Sequence, residues 1–175
     1  EMFDASIGKS TVLMPFGGFY QLTPEEGSVQ KLPVFGMTHT CSLMTYGYDP
    51  KLSKYSPYLG ASYSVVEALA RITALGANYK TCRYPNQEYF EHLGKDPEKW
   101  GNPMQALLGL IDAQLAFETP SIGGKDSMSG TYKDIHVPPT LITFAVTTEK
   151  TENIISASFK KPGNYVYLIK HDPKE

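Results

Sequence analysis

The sequence predicts one α+β domain, a mixed or antiparallel sheet with its helices packed on one face. Two long segments with helical periodicity alternate with five or six short apolar runs of β character, and no internal repeat or low-complexity stretch interrupts them. The 175 residues are enough for one proper core and too few for two.

The elements follow in chain order. Residues 11–16 (TVLMPF) form a short apolar run closed by Gly17-Gly18, a strand and turn, and residues 23–28 are a polar loop. Residues 34–44 alternate loosely and predict a second strand. Residues 46–58, with four tyrosines, two prolines and a glycine, predict an ordered loop. A helix follows over 59–75, opened by Ser56-Pro57 and stopped by Gly76. Its apolar side carries Val65, Val66, Leu69, Ile72 and Thr73, and a second stripe of Gly60, Ser64, Glu67, Arg71 and Ala74 is small or polar. Residues 78–84 predict a short strand, 87–93 a short helix, and Asp96-Pro97 a turn. The second long helix is predicted over 103–117, with Asn102 as cap, Pro103 at its first position, and Met104, Leu107, Leu108, Ile111 and Leu115 as its apolar stripe. A glycine-rich run from Gly123 to Gly130 precedes the cleanest strand, 141–147. The Pro162-Gly163 turn sets up a last strand over 164–169.

Composition narrows the function. Hydrophobic residues at 41% and charged residues at 19% are those of a globular domain, and a formal net charge of −2 supplies no basic field for nucleic acid or an anionic membrane. No apolar run approaches the roughly 20 residues of a membrane helix, and nothing reads as a signal peptide. Cys41 and Cys82 lack metal-ligand spacing, so the thiols are expected to be reduced and buried in a cytoplasmic protein. His39, His92, His136 and His171 show no such spacing either. His136 lies in a proline-stiffened loop that reads as a rigid connector. The chain opens straight into Phe3-Asp4-Ala5-Ser6-Ile7-Gly8-Lys9 without an initiator methionine, which predicts a segment cut from a longer protein.

Two places carry chemistry. In the run Ser121-Ile122-Gly123-Gly124-Lys125-Asp126-Ser127-Met128-Ser129-Gly130, paired glycines free backbone N–H groups to face an anion. The lysine adds positive charge, and the aspartate offers a metal ligand. The run is not a Walker A loop, and on composition alone such a glycine- and serine-rich stretch is more often just a turn. The second place is Glu67, four residues before Arg71. The pair is either a surface ion pair or the polar part of a face that another backbone or a ligand approaches.

The GGKDSMSG run resembles that of large, single-chain formylglycinamidine ribonucleotide synthases, where it lies in the second of two nucleotide-binding halves. Residues 56–80 resemble the helix before that run, residues 134–146 (DIHVPPTLITFAV) the segment after it, and Phe3-Asp4 with residues 11–16 the opening of that half. The resemblance covers nearly the whole chain in the right order. It implies an aminoimidazole ribonucleotide synthetase N-terminal-like domain over 1–160, with 161–175 starting the next domain or forming a tail. Such domains pair through their sheets with nucleotide sites at the junctions.

The implied reaction is a C–N ligation that converts formylglycinamide ribonucleotide, with ATP and glutamine-derived ammonia, to formylglycinamidine ribonucleotide in purine biosynthesis. The isolated segment is expected to be inactive. By the same resemblance, Gly123, Gly124, Lys125, Asp126, Ser127 and Arg71 would bind nucleotide or phosphate, with ATP/ADP and Mg²⁺ as cofactors and Glu67 as a metal ligand. The partners implied are the first synthetase half, a glutaminase domain, a small-molecule substrate and a second copy through the sheet. The family helix often has an asparagine at position 71 as a second metal ligand, and an aspartate is expected near positions 34–35. This chain has Arg71 and no such aspartate. Arginine cannot ligate Mg²⁺ and would bind phosphate or neutralise Glu67. The alternative is therefore a structural half, a pairing scaffold with a vestigial or structural nucleotide site. A selenophosphate- or thiamine-phosphate-kinase relative would carry clustered aspartates that are absent here.

Overall fold

The computed structural model of the protein describes residues 10–171. The chain runs through β1 (Thr11–Leu13), β2 (Phe16–Gly17), β3 (Thr23–Pro24), β4 (Ser28–Lys31), β5 (Thr40–Gly47), α1 (Pro50–Tyr55), α2 (Pro57–Ala74), β6 (Tyr84–Tyr89), α3 (Pro97–Phe117), β7 (Ser121–Lys125), β8 (Thr131–Tyr132), β9 (Ile135–His136) and β10 (Thr140–Lys150). Six strands form one sheet in the order β1-β4-β5-β10-β6-β7. Every neighbouring pair is antiparallel except β6–β7, which is parallel. A parallel pair needs a crossover, and α3 supplies it. The α+β class, the mixed sheet and the one-sided helices are as the sequence predicts.

The centre of the sheet is the long β5–β10 pair, in register from Thr143↔Gly47 to Lys150↔Thr40. One face presents Cys41, Leu43, Leu141, Ala145 and the buried Thr45 and Thr143, and α2 lies on it with Val65, Ala68, Leu69 and Ile72. The small stripe on α2 is explained by close backbone approach. A methyl at Gly47 would meet the Ser64 carbonyl at 2.1 Å, and one at Gly60 would meet Ser53 Oγ at 2.3 Å. Ser64 Oγ reaches Thr143 Oγ1 at 2.8 Å, and Thr45 Oγ1 donates to the Ala68 carbonyl at 2.7 Å. Val66 and Thr73, predicted for the core face, are exposed instead, because the small residues take α2 closer to its neighbours than a branched side chain permits.

The helix α3 packs on α2 through Ala106, Gly109, Leu110 and Ala113. At Gly109 a methyl would lie 2.0 Å from the Tyr58 carbonyl. The apolar stripe of Met104, Leu107, Leu108, Ile111 and Leu115 is therefore turned outward and exposed. Asn102-Pro103 proves a false start signal. The helix begins at Pro97, where the Asp96 carboxylate accepts from Glu98 N, and Pro103 sits inside it.

Other expectations fail locally. Residues 50–55 form α1, capped by Asp49, where the sequence predicts a loop. Ser28–Lys31 is a strand where the polar loop is predicted to reach Ser28, and residues 34–37 precede β5 as an irregular, exposed segment. Of the strand predicted over 78–84, only Arg83 and Tyr84 pair as β structure, and Tyr79–Thr81 is a 3₁₀ turn. The predicted helix at 87 is the end of strand β6, and Gly123–Lys125 belongs to strand β7 rather than to a loop. Residues 164–169 are exposed and pair with no strand among the described residues, so their alternation does not make a strand there. The opening Phe3–Lys9 lies outside the described residues. No described helix is long and apolar enough to cross a membrane.

Gly47→Ala should destabilise the fold by about 1–3 kcal/mol, because helix and strand must separate to admit the methyl. Gly101→Ala, in α3 with nothing within 4 Å of the new carbon, should stabilise it by about 0.5–1 kcal/mol. Urea unfolding of the two variants checks both signs.

Candidate functional site

The β6–α3–β7 crossover leaves a concavity of about 390 Å³ between the edge of the sheet and α3. It is lined by Asn86, Glu88, Leu107, Leu110, Ser121 and the stretch Gly123–Asp126. The structure thus brings Gly123, Gly124, Lys125 and Asp126 together, with Ser127 immediately after them. The two glycines have different causes. Gly124 lies where strand pairing crowds the backbone, since a methyl there would sit 2.3 Å from the Asn86 carbonyl. Gly123 faces open space, with nothing within 4 Å. Edge position leaves β7 exposed along its whole length.

Part of the run's donor capacity is already spent. Ser127 N donates to the Glu88 carbonyl at 3.0 Å and Gly130 N to the Phe90 carbonyl at 2.9 Å, which holds the loop after β7 against β6. Ser127 Oγ and Ser129 Oγ lie 3.0 Å apart. The Lys125 ammonium stands 5.0 Å from the Tyr89 ring centroid, a cation–π position that leaves its charge at the surface. An exposed glycine edge with a surface ammonium beside it suits an anion such as phosphate.

Sequence reasoning missed the floor of this concavity. Asn86 and Glu88 are 7% and 8% exposed, and both project to the helix side of β6 next to the buried Tyr84. Asn86 Nδ2 donates to Ser121 Oγ at 2.7 Å, whereas Asn86 Oδ1 and Glu88 Oε1 are buried with no hydrogen-bond partner. Burial, and secondarily the negative charge of Asp126, push the Glu88 carboxyl above its ordinary value. The available signal was the i,i+2 pair of polar residues in a run ending Tyr89-Phe90. A helical reading puts them on different faces; a strand reading puts them on one.

Glu67 and Arg71 do not share this concavity. Arg71 Nη2 donates to Glu67 Oε1 at 2.7 Å, and Nε lies 3.5 Å from Glu26 Oε2. The guanidinium sits 4.8 Å from the Tyr46 ring centroid. Glu67 Oε2 accepts from Tyr48 N at 2.8 Å. Both carboxylate oxygens of Glu67 are thus engaged, one by a fixed cation. Among the described residues no three Asp, Glu, His or Cys side chains gather as a metal cluster. The donors at Glu67 do not fit Mg²⁺, and no step is assigned to a metal there. The thiols play no part: Cys41 and Cys82 are buried and unpaired, and burial raises the Cys82 thiol to about 11. His136 lies in β9, 3.1 Å from Thr131 Oγ1 and 3.4 Å from Glu91 Oε2.

The mixed sheet with its helices on one face, and a glycine-rich edge strand bordering a cleft, define the aminoimidazole ribonucleotide synthetase-like fold. Among solved structures, Thermotoga maritima PurL complexed with ADP superposes with a TM-score of 0.67 at 19% identity, covering 87% of this chain and 23% of that one. PurLQS from the same organism superposes at 0.65 and 19%, covering 84% and 22%. In sequence the chain is similar to phosphoribosylformylglycinamidine synthase subunit PurL. It is 25% identical to the Thermus thermophilus protein over 171 residues, 97% of this chain and 22% of that protein. It is 27% identical to the Lacticaseibacillus paracasei protein over 170 residues, 97% and 21%. The resemblance to the synthase read from the glycine run thus extends over nearly the whole chain, which spans about a fifth of the length of these relatives. No protein-family model matches the chain.

Because the Glu88 carboxyl is raised, the folded state holds its proton above the ordinary glutamate value of 4.5. The stability that the neutral form supplies is present below that value and is lost as pH rises through the folded-state pKa. Glu88→Gln should therefore raise the thermal midpoint at pH 7, and the gain should disappear near pH 4. Melting curves of both proteins across pH 4–8 without divalent cations test the sign.

Proposed function

We propose that this chain is one domain of a formylglycinamidine ribonucleotide synthase, the ATP- and glutamine-dependent ligase of purine biosynthesis, and that its part is to hold a nucleotide or substrate phosphate at Gly123–Ser127. The observation that carries the reading is the meeting of two independent facts. The segment that resembles the synthase's glycine run is also the segment that folds as an exposed edge over a cleft, with open space at Gly123. The T. maritima relatives include complexes with ATP, with ADP and with formylglycinamide ribonucleotide, which supports nucleotide-type chemistry for this fold.

In that reading the domain's residues bind and orient. Lys125 neutralises phosphate charge, Gly123 lets a phosphate reach the backbone, and the Ser127 and Ser129 hydroxyls donate to its oxygens. ATP supplies the phosphoryl group that activates the amide oxygen before ammonia displaces it, and such a transfer relies on positioning and charge rather than a protein nucleophile. The remaining domains of the synthase, including its first half and its glutaminase, would complete the active site. The second-half assignment and the single-chain form belong to this proposal, as do the 1–160 boundary and a cytoplasmic location.

A second reading, a structural half, is favoured locally by the Glu67–Arg71–Glu26 cluster, which fills with an arginine the place where the resemblance implies a metal. Both readings expect the uncovered sheet face to be paired. Met44, Tyr46 and Tyr89 project from it, and Tyr46 lies 6.4 Å from Phe144.

Two measurements follow. Calorimetry with ADP should give binding heat that weakens tenfold or more in Lys125→Ala; no heat in the parent chain selects the structural half. Sedimentation should find the isolated chain self-associated, with Met44→Lys and Tyr46→Lys shifting it to monomer, whereas a monomer at all concentrations removes the pairing claim.

A further inference from the structure

We infer that Gln114 is a positioning residue for the glycine edge: it locks a bulge at Ile122 and so decides which face of the sheet Gly123 and Lys125 occupy. That Gly123 and Lys125 serve an anion rests on the function proposed above; the lock itself does not.

The β6–β7 register breaks at one point. Tyr84 pairs with Ser121 and Pro85 with Gly123, so one step along β6 spans two along β7, and Ile122 has no partner in the ladder. Pairing is regular again through Asn86↔Gly124 and Gln87↔Lys125. Bulges are rare between parallel strands and gather beside functional sites, where they re-aim side chains. Proline brings no N–H to a ladder and within sheets keeps to edges and bulges, and Pro85 stands at this one. Ile122 is 67% exposed, so burial does not hold the extra residue in place.

Hydrogen bonds hold it instead, and they converge on Ser121, the residue before the bulge. Ser121 N donates to Gln114 Oε1 at 2.5 Å, and Ser121 Oγ accepts from Asn86 Nδ2 at 2.7 Å. Tyr84 N donates to the Pro120 carbonyl at 3.2 Å, and the Tyr84 and Thr119 hydroxyls are hydrogen-bonded to each other. Gln114 thus ties the main chain at the bulge to α3. The consequence is one of parity. Residues opposite each other on paired strands share a face, and a slip of one residue exchanges the faces. With the bulge, Lys125 lies opposite Gln87 and shares the face of Tyr89, whose ring centroid is 5.0 Å from its ammonium. Gly123, two residues earlier, shares that face and has open space around it. Regular pairing from Ser121 onward would instead set Ile122 against Pro85 and Lys125 against Glu88, whose Oε1 is buried without a partner. The ammonium would then be spent on that carboxylate. The bulge keeps it at the surface.

The test is nuclear magnetic resonance of the full chain and three variants. Gln114→Met removes the acceptor at nearly constant shape, Gln114→Glu retains one, and the third variant lacks Ile122. In Gln114→Met, hydrogen exchange at the Ser121 amide should accelerate tenfold or more. Nuclear Overhauser contacts between the Lys125 side chain and the Tyr89 ring should fall by half or more, and Gln114→Glu should restore both. Deletion of Ile122 should move the Lys125 contacts from Tyr89 to Glu88; if that variant does not fold by circular dichroism, Gln114→Met decides. The lock is refuted if Gln114→Met keeps the parent's exchange rate and contacts, or if a folded chain without Ile122 keeps Lys125 on Tyr89. Calorimetry with ADP separates this from the phosphate reading. Binding weakened tenfold or more in Gln114→Met joins the lock to phosphate binding. Displaced Lys125 contacts with no ADP heat in the parent uphold the lock and remove the phosphate reading. Equal ADP affinity in the parent and in a Gln114→Met chain with displaced contacts overturns the positioning role.

Discussion

The close seating of α2 on the β5–β10 pair is the contact from which the rest of the domain is built. With hydrogen at Gly47, helix and strand backbones approach within a distance that no side chain would permit, and Ser64 and Thr143 close the contact with a buried hydrogen bond. β10 then offers its other edge to β6, and β6 in turn offers its own to β7. The position of the cleft therefore traces back, strand by strand, to that central pairing. The same small-residue logic repeats at Gly109, where α3 lies against α2 and its larger apolar residues are turned away.

That outward turn gives the domain two uncovered apolar surfaces, the outer side of α3 and the far side of the sheet. A free-standing domain of this size rarely leaves both bare. The chain spans about a fifth of the length of its relatives, and the pairing proposed above would cover such surfaces. The outward turn also explains why the helical stripe that looks most like a core in the sequence is not one: an apolar pattern states that a face is buried somewhere, without stating against what.

The polar chemistry is divided between two places with opposite solutions to buried charge. At Glu67 a carboxylate is held by Arg71 and by the Tyr48 amide, so its charge is balanced within the chain. At Glu88 no such partner is present among the described residues, and Asp126 adds a like charge. The two carboxylates thus differ in whether the chain itself balances their charge.

Local sequence determined much of this protein. The span of α2, with Ser56-Pro57 before it and Gly76 after it, was legible because caps and breakers act over one turn. The centre of β10 was legible because an alternating apolar run has only one period, and GGKDSMSG marked a segment that begins as the exposed edge strand of the sheet. The start of α3 was not, since Asn102-Pro103 and Asp96-Pro97 are chemically equivalent start signals and only packing on α2 chose the earlier one. Nor was β6, whose buried face carries Asn86 and Glu88 where the alternation rule expects apolar residues. Strand pairing decided that face: once β10 and β7 took its two edges, Glu88 had no freedom to turn to water. Propensity and capping are written in neighbouring residues, whereas the partner of a helix face and the burial of a charge depend on residues far away in the chain.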